Sequence, residues 1–383
     1  MIIGFYKETK KKESRVILTP IEVAQLTAHG HKVLLGSNAG VDSGFKDEDY
    51  LEAGAKIRET MQEIYDECDF IAKVKEFETR EYNLFKEGQI LFSCIHPAGD
   101  PKQVDALLDK KVVAFTAEDT HINGSPNSEV AGKLGALMGV FNLLTINGGC
   151  GKLVCGATGS PSINALVIGA GIVGKGATEI LSSLGANLIL MDIDIDLLRQ
   201  CHEIYPKNVR TILSNEHTIK KLIPSIDLVV NCVKWPKHRK DHLITRKMLK
   251  TMQKGSVIVD ISADIGGAIE TYRPTTHDNP TYIEEGIIHY GVDNIPGIVP
   301  KTISTAYAAS VLPHILSIAD NGIVEACKKD GYLRRSLTAY KGILTHKETA
   351  IIQNRNWTTP EEVLKLDNAR DLNKVPETVK FDI

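Results

Sequence analysis

Short apolar runs alternate with amphipathic stretches along the first third of the chain. Runs typical of β-strands lie at Ile2–Tyr6, Lys32–Leu35, Phe70–Val74, Gln89–Ser93 and Val112–Thr116. Segments in which apolar positions recur every three or four residues lie between some of them, at Pro20–His29, Asp47–Ala53 and Pro101–Leu108. This alternation of strands and helices predicts a parallel, doubly wound α/β sheet.

A second alternating series follows a long helical pattern over Ser128–Leu144, for which Ser128 is the expected N-cap. The Gly-rich segment Asn147–Ser162 predicts a loop, and Thr302–Ala319 predicts a later helix. The strands of this series are predicted at Ala165–Ile168, Asn187–Met191, Val209–Leu213, Asp227–Asn231, Ser256–Asp260 and Ile287–Val292. The chain is therefore predicted to be an α/β protein with two doubly wound parallel-sheet domains.

The composition changes this picture little. The chain has 383 residues, 43% of them hydrophobic and 24% charged, with a net charge of −3, as in an ordinary soluble protein of about two domains. There is no broad basic stretch and no run near the roughly 18 apolar residues of a membrane span, so neither nucleic acid nor a membrane is an expected partner. The seven cysteines are scattered without a CxxC pair. That pattern favours a reducing, cytoplasmic setting and neither a disulfide framework nor a metal site.

The segment ALVIGAGIVGKGATEILSSLGANLILMD carries the clearest functional signal. Gly169, Gly171 and Gly174 form GxGxxG directly after a predicted strand and at the start of a predicted helix, with Asp192 about twenty residues downstream at the end of the next strand. The glycines permit a tight turn, close approach of a pyrophosphate, and close packing of helix on strand. The helix N-terminus offers amides to the phosphates. Asp192 suits the ribose hydroxyls and repels a 2′-phosphate, so the segment predicts a Rossmann domain that binds NAD rather than NADP.

Four polar residues in or near apolar strands are candidates for chemistry: Arg15, Lys75, His96 and Asp264. His96 suits acid/base chemistry near neutral pH, and a packed histidine bonded to a carbonyl is the competing interpretation. Lys75 shares a strand face with Lys73, which is also typical of a solvated edge. Arg15 suits a bidentate pair with a carboxylate or a surface salt bridge. Asp264 lies at a predicted carboxyl end, where ligands bind, but also suits a cap or turn.

Several blocks together resemble the alanine dehydrogenase family, which is related to the nicotinamide nucleotide transhydrogenase α-subunit. They include IGFYKETKKKESRVILTP, GHKVLLGSNAGVDSGFKDEDYLEAGA, KVKE, SEVAG, VIGAGIVG, MDIDIDLLRQ, RPTTHDNPTY and LRRSLTAYKGILTHKETA, and they cover nearly the whole chain. The resemblance implies a substrate domain formed by residues 1–127 and 303–383, with an NAD-binding Rossmann domain at 128–302 inserted between these segments. It also implies a homohexamer.

The same resemblance implies roles for individual residues. Arg15 and Lys75 would bind the carboxylate and carbonyl of the substrate, His96 would be the acid/base, and Asp264 would assist. The cofactor contacts implied are Ser128, Gly169, Gly171, Ile172, Val173, Gly174, Asp192, Ser214, Val233, Asp264, Val292, Asn294 and Ile295. The reaction implied is the NAD-dependent, reversible deamination of L-alanine to pyruvate and ammonia.

Some residues depart from the family pattern and keep a second reaction open. Pro97-Ala98 follows the histidine in place of Leu-Ala, and the basic, aromatic segment Lys234–His242 replaces a shorter type of loop. The forms DISADIGG and VDNIP resemble saccharopine-type enzymes and N5-(carboxyethyl)ornithine synthase, which join an amino acid to a 2-oxo acid and reduce the imine. A non-catalytic dinucleotide-binding module is a third interpretation. The sequence leaves open the amine, the physiological direction and any regulator.

Overall fold

The computed structural model describes residues 1–121, 124–236, 239–262, 265–366 and 372–373. Contacts between residues divide the chain into two compact units. The discontinuous unit comprises Met1–Pro126 and Gly297–Ile383, and the inserted unit comprises Asn127–Pro296. Each unit is built around its own sheet.

Strands and helices follow one another in both units, as the alternating pattern predicts. The strands are β1 (Ile2–Phe5), β2 (Lys32–Gly36), β3 (Lys56–Arg58), β4 (Phe70–Ala72), β5 (Ile90–Ser93), β6 (Val113–Thr116), β7 (Asn164–Ile168), β8 (Asn187–Asp192), β9 (Val209–Leu213), β10 (Leu228–Asn231), β11 (Val257–Asp260), β12 (Thr281–Glu284), β13 (Ile287–Tyr290), β14 (Leu337–Tyr340) and β15 (Ile343–Leu344). The helices are α1 (Pro20–Ala28), α2 (Asp47–Glu52), α3 (Met61–Glu67), α4 (Pro101–Asp109), α5 (Pro126–Asn142), α6 (Ile172–Ser183), α7 (Ile195–Ile204), α8 (Glu216–Leu222), α9 (Arg246–Leu249), α10 (Pro300–Asn321), α11 (Ile323–Lys329), α12 (Gly331–Arg335), α13 (Lys347–Gln353) and α14 (Pro360–Val363).

The sheet of the discontinuous unit has the order β15-β14-β6-β5-β4-β1-β2-β3. Strands β1 to β6 pair in parallel, and their buried side chains, such as Phe5, Phe70 and Phe92, form the core. Because β6, β5, β4 and β1 are consecutive neighbours, their carboxyl ends lie along one edge of the sheet. This edge is where open parallel sheets bind ligands.

The sheet of the inserted unit has the order β12-β13-β11-β10-β7-β8-β9. All its pairs are parallel except the edge pair of β12 and β13. The strand order reverses beside β7, because β8 lies on one side of it and β10 on the other. A glycine loop that follows β7 therefore lies at the switch point where doubly wound sheets bind nucleotides.

The α/β class with two parallel-dominated sheets is confirmed, but each sheet is mixed rather than purely parallel. The antiparallel pairs β12–β13 and β14–β15 arise from two tight hairpins, and β14 also pairs antiparallel with the distant strand β6. Glu285 and Gly286 have φ of 51° and 82°, and Lys341 and Gly342 have φ of 49° and 91°. Two consecutive residues with positive φ are the mark of a type I′ turn, which joins antiparallel neighbours.

One predicted helix boundary is wrong. Helix α5 begins at Pro126, so Ser128 lies within its first turn and is not the N-cap. Proline suits the first helical position because its φ is fixed near the helical value and its missing amide has no partner there.

Helix α10 is long and apolar enough to cross a membrane by composition alone. Ile303, Tyr307, Val311 and Ile315 recur every four residues along it and are buried within the discontinuous unit. These positions identify α10 as a core helix of that unit.

Candidate active site

The glycine loop after β7 has the geometry that its motif predicts. Gly169 has a φ of +98°, which favours glycine. A Cβ on Gly174 would lie 1.7 Å from the carbonyl oxygen of Gly169, so the start of α6 packs directly on the loop. A Cβ on Gly171, the N-cap of α6, would meet no atom within 4 Å. The loop is thus an open cradle beside the amides of a helix N-terminus, and half-buried Ile172 and Val173 form the first turn of that helix.

Asp192 ends β8 beside this loop. Its Oδ2 accepts a hydrogen bond from the Ala170 amide at 2.6 Å, and its Oδ1 accepts one from the Asp194 amide at 2.9 Å. The Ser214 amide donates to the Asp192 carbonyl at 2.8 Å, which brings Ser214 to the same edge. Val233 also lies there, because its Cγ2 would be 3.2 Å from a Cβ on Gly169. These residues form a cluster around the glycine loop.

The other predicted cofactor contacts are placed less directly. Ser128 lies in α5, one turn before Gly132. A Cβ added to Gly132 would lie 1.9 Å from the Val173 carbonyl oxygen, so α5 packs closely against α6. Val292 and Ile295 belong to the same apolar core as Ala170 of the glycine loop. Asn294 is buried, and its carbonyl accepts a hydrogen bond from His277 Nε2 at 2.9 Å. Asp264 falls outside the described residues.

His96 lies in the discontinuous unit, three residues after β5, with a left-handed backbone (φ 47°, ψ 51°). Its Nδ1 is 3.0 Å from Oε1 of Glu118, and its amide donates to the same oxygen at 2.8 Å. The side chain is 52% exposed, and Nε2 is 3.9 Å from Oε1 of Glu76. The negative charge of Glu118 raises the pKa of His96, against a lowering by burial. The competing interpretation of a packed histidine bonded to a carbonyl is therefore wrong.

Glu118 is a residue that sequence reasoning missed. It lies two residues after β6, and burial alone would raise its pKa, but the charge and hydrogen bond of His96 lower it overall. Its other oxygen, Oε2, is buried and has no hydrogen-bond partner among the described residues. Because β5 and β6 are parallel neighbours, a residue just beyond β6, such as Glu118, is expected to lie near a residue just beyond β5, such as His96. The predicted pairing of these strands was therefore a signal that could have found Glu118.

The two lysines after β4 have different environments. Lys73 is fully buried and donates to both oxygens of Glu81, at 2.8 and 3.0 Å, so a solvated lysine edge is wrong for this position. Lys75 keeps 14% of its side chain exposed, and its Nζ is 3.9 Å from Oε1 of Glu76. That oxygen is equally far from Nε2 of His96, so Glu76 lies between the two cations.

Arg15 is buried rather than on the surface. Its Nε and Nη2 donate to the two oxygens of Glu13, at 2.6 and 2.5 Å, and its amide donates to Oε1 at 3.0 Å. The guanidinium therefore makes a bidentate pair with a carboxylate of its own loop. Glu13 is a second acidic residue that sequence reasoning did not single out.

The discontinuous unit thus carries Lys75 and His96 beyond neighbouring parallel strands, and Arg15 in the loop that follows β1. Each of these side chains lies beside a carboxylate. Such a set can bind a small carboxylic acid through its cations and move a proton near neutral pH through His96. Among the described residues, no cluster of His, Cys, Asp and Glu side chains is arranged to hold a metal ion.

The segment that departs from the family pattern, Lys234–His242, is partly closed on itself. The Trp235 indole donates to the Asp241 carbonyl at 2.9 Å. The Arg239 guanidinium lies 4.1 Å above the Trp235 ring and pairs with the Asp241 carboxylate. Within this loop, Trp235, Arg239 and Asp241 therefore contact one another.

Comparisons with known proteins cover both units. The model "Alanine dehydrogenase/PNT, N-terminal domain" matches residues 4–125, and "Alanine dehydrogenase/PNT, C-terminal domain" matches residues 135–347. An alanine dehydrogenase of Methanococcus maripaludis is 39% identical over 371 residues, which are 95% of this chain and 100% of that relative. Alanine dehydrogenase 2 of Staphylococcus aureus strain Mu50 is 40% identical over 373 residues, which are 96% of this chain and 100% of that relative.

Solved structures agree with these matches. One named L-alanine dehydrogenase has a TM-score of 0.87 and 33% identity, with 92% of this chain and 99% of that chain covered. A transhydrogenase from Sinorhizobium meliloti has a TM-score of 0.74 at 21% identity, with 91% and 99% covered, and shares the fold.

Proposed function

The chain belongs to the alanine dehydrogenase/PNT family, and we propose that it is an NAD-dependent dehydrogenase that converts L-alanine to pyruvate and ammonia and catalyses the reverse reaction. The observation that carries the proposal is the half-exposed imidazole of His96, which Glu118 holds by its Nδ1 at the same sheet edge as Lys75. Family membership supplies the reaction class, and this edge supplies groups suited to a small amino acid or 2-oxo acid.

The glycine cradle fits NAD. The pyrophosphate would lie on Gly169, Gly171 and Gly174, and the ribose would bind Asp192. The further contacts proposed are Ser128, Ile172, Val173, Ser214, Val233, Val292, Asn294 and Ile295. The open space at Gly171 and the carboxylate of Asp192, fixed by two amides, support this fit. When bound, NAD supplies the acceptor for the hydride that leaves the α-carbon of the amino acid.

The residues of the discontinuous unit then act on the substrate. Arg15 binds the carboxylate and so orients the α-carbon, a positioning effect. Lys75 stabilises the negative charge that develops on the substrate oxygen. His96 takes a proton from the water that attacks the imine of the substrate, and it returns a proton to the departing ammonia. Asp264, which lies outside the described residues, is proposed to assist the reaction.

An imine reductase that accepts a second amino acid is the alternative, and Lys234–His242 is the segment that favours it. The contacts of Trp235 and Arg239 with Asp241 occupy groups that would otherwise recognise a larger amine, so we favour ammonia. NADH oxidation with pyruvate plus ammonium, and then with ornithine or lysine in its place, separates the two. Turnover with the larger amines alone would contradict alanine dehydrogenase activity, and NADH binding without any turnover would favour a non-catalytic module.

We also propose a homohexamer in the cytoplasm, with the substrate domain at 1–127 and 303–383 and the NAD domain at 128–302. Leu137 and Phe141 are exposed on α5 and suit a subunit contact. The scattered spacing of the seven cysteines, without a CxxC pair, supports a reducing compartment. Sedimentation equilibrium measures the mass, and a monomer would contradict the assembly.

A further inference from the structure

Glu8 is a buried carboxylate that the reaction described above does not use. It lies just after β1, and 8% of its surface is exposed. Its Oε1 accepts a hydrogen bond from the Val74 amide at 2.6 Å, and its Oε2 accepts one from the Lys75 amide at 3.4 Å. One carboxylate therefore holds two consecutive amides, and the second belongs to Lys75 itself.

The main chain at Lys75 depends on such side-chain contacts because β4 ends at Ala72. The Lys73 amide still donates to the Phe92 carbonyl at 2.9 Å, which is the last bond of the strand ladder. Beyond it, the Ser93 hydroxyl donates to the Lys75 carbonyl at 2.5 Å. Lys75 is thus fixed on its carbonyl side by Ser93 and on its amide side by Glu8.

We propose that Glu8 is a positioning residue for Lys75, because it fixes the main chain from which the ammonium reaches the substrate. This inference rests on the proposed function, in which Lys75 touches the substrate oxygen. An ionised carboxylate accepts both amide hydrogens, whereas a protonated carboxyl makes one oxygen a donor and gives up an acceptor site. A displacement of about 1 Å at a substrate-binding group can cost about 10²-fold in rate. The charge of Glu8 therefore controls how well Lys75 is placed.

Charged and titratable groups face Glu8 from several elements. Lys73 Nζ lies 3.9 Å from Oε2 and also binds Glu81 at 2.8 Å, so one ammonium lies between two buried carboxyls. Glu13 and Arg15 act on Glu8 from the loop before α1, and Tyr65 faces it from α3.

Burial raises the pKa of Glu8 to about 7, and Glu13 adds to this, although Lys73, the Val74 amide and Arg15 lower it. As the pH falls through about 7, Glu8 takes up a proton and one of the two amides loses its acceptor. We therefore expect the affinity for the 2-oxo acid to fall on the acid side of neutrality.

The Glu8→Gln variant tests this role. It should raise KM for pyruvate about tenfold, the loss expected for one charge-assisted hydrogen bond, and leave KM for NADH within about twofold. The rise of KM for pyruvate below pH 7 that we expect of the wild type should be absent from the variant. Glu48→Gln, a charge loss at an exposed position of α2, is the matched control and should behave as the wild type. A Glu8→Gln variant with the wild-type KM and pH profile would overturn the role.

Hydrogen exchange on the wild-type protein tests the same role without a variant. After correction for the intrinsic rate, the amides of Val74 and Lys75 should exchange faster at pH 6 than at pH 8, because a proton on Glu8 removes an acceptor from this pair. The amides of Lys73 and Phe77, which donate to Phe92 and Gln103, are internal controls and should not change. Equal corrected rates would overturn the inference. A wild type that binds NADH but does not turn over pyruvate with ammonium would contradict the proposed function instead, and the exchange measurement would still decide the role of Glu8.

Discussion

Both units place groups suited to ligand binding at the carboxyl ends of parallel strands, but one unit uses mainly its main chain and the other uses charged side chains. The inserted unit uses its backbone: glycines without side chains, amides at the start of α6, and a carboxylate, Asp192, that two amides hold. The discontinuous unit uses charged side chains, each paired with a carboxylate, as Arg15 is with Glu13 and His96 is with Glu118. A backbone site suits a large cofactor that is only held, whereas a side-chain site suits a small substrate on which protons move.

The strongest test of this division is His96→Ala. Loss of the acid/base should lower kcat by about 10²- to 10⁴-fold, because that is the usual contribution of a positioned proton-transfer group. The affinity for NADH, measured by calorimetry, should stay within about twofold, as the proposed cofactor contacts lie in the inserted unit. His217→Ala, at an exposed position of that unit, is the control and should keep the wild-type rate. An unchanged rate in His96→Ala would remove His96 from the mechanism.

Two glycine variants test the backbone site. Gly171→Ala should fold normally, because its Cβ meets nothing within 4 Å, but it should weaken NADH binding about 10- to 100-fold through the loss of a close phosphate contact. Gly174→Ala should instead lower the free energy of unfolding by about 1–3 kcal/mol or more, because its Cβ would overlap the Gly169 carbonyl. Calorimetric binding and thermal denaturation measure the two effects. Equal behaviour of both variants would contradict separate roles for the two glycines.

Asp192→Asn tests cofactor choice. The amide oxygen still accepts from Ala170, but the charge that repels a 2′-phosphate is gone. We expect the ratio of kcat/KM for NAD over NADP to fall about tenfold, the equivalent of about 1.4 kcal/mol. Asp196→Asn, an exposed position on α7, should leave the ratio unchanged. A ratio unchanged in Asp192→Asn would count against Asp192 as the ribose acceptor.

Glu118→Gln tests the pairing of charges in the discontinuous unit and has the smallest expected effect. Glu118 raises the pKa of His96 because its negative charge favours the imidazolium, so its neutralisation should lower that pKa. In the deamination direction, which needs neutral His96, the acid limb of kcat/KM for alanine should move to lower pH. Glu118→Asp, which keeps the charge, should restore part of the shift. If the acid limb of the pH profile of kcat/KM for alanine stays in place in Glu118→Gln, Glu118 does not set the charge of His96.

The same contrast explains how far the sequence could predict the molecule. The glycine loop is contiguous, so the spacing of Gly169, Gly171 and Gly174 after an apolar strand could be read directly. The strands before and after it could be read for the same reason, since buried parallel strands are apolar runs. The carboxylate partner of His96 was harder to find, because Glu118 and His96 are 22 residues apart and their contact follows only from the pairing of β5 with β6.

Lys73 shows a second reason why parts of the discontinuous unit could not be predicted from the sequence. Its alternation with Lys75 is the pattern of a solvated strand edge, but Glu81, eight residues later, turns back to cover it. A buried ammonium is stable only with such a partner, and a partner reached through a loop leaves no periodic signal. The short strands β14 and β15 at one end of the sheet of this unit were missed for a related reason, since their signal is the Lys341-Gly342 turn rather than a long apolar run.

The stoichiometry of the oxidative reaction separates an alanine dehydrogenase from an imine reductase. Purified protein would be incubated with L-alanine and NAD, and NADH, pyruvate and ammonium would be measured at several times. We expect the three products to appear in equal amounts and their formation to be lost in His96→Ala. NADH-dependent consumption of pyruvate that requires ornithine or lysine, with no ammonium formed from alanine, would contradict it.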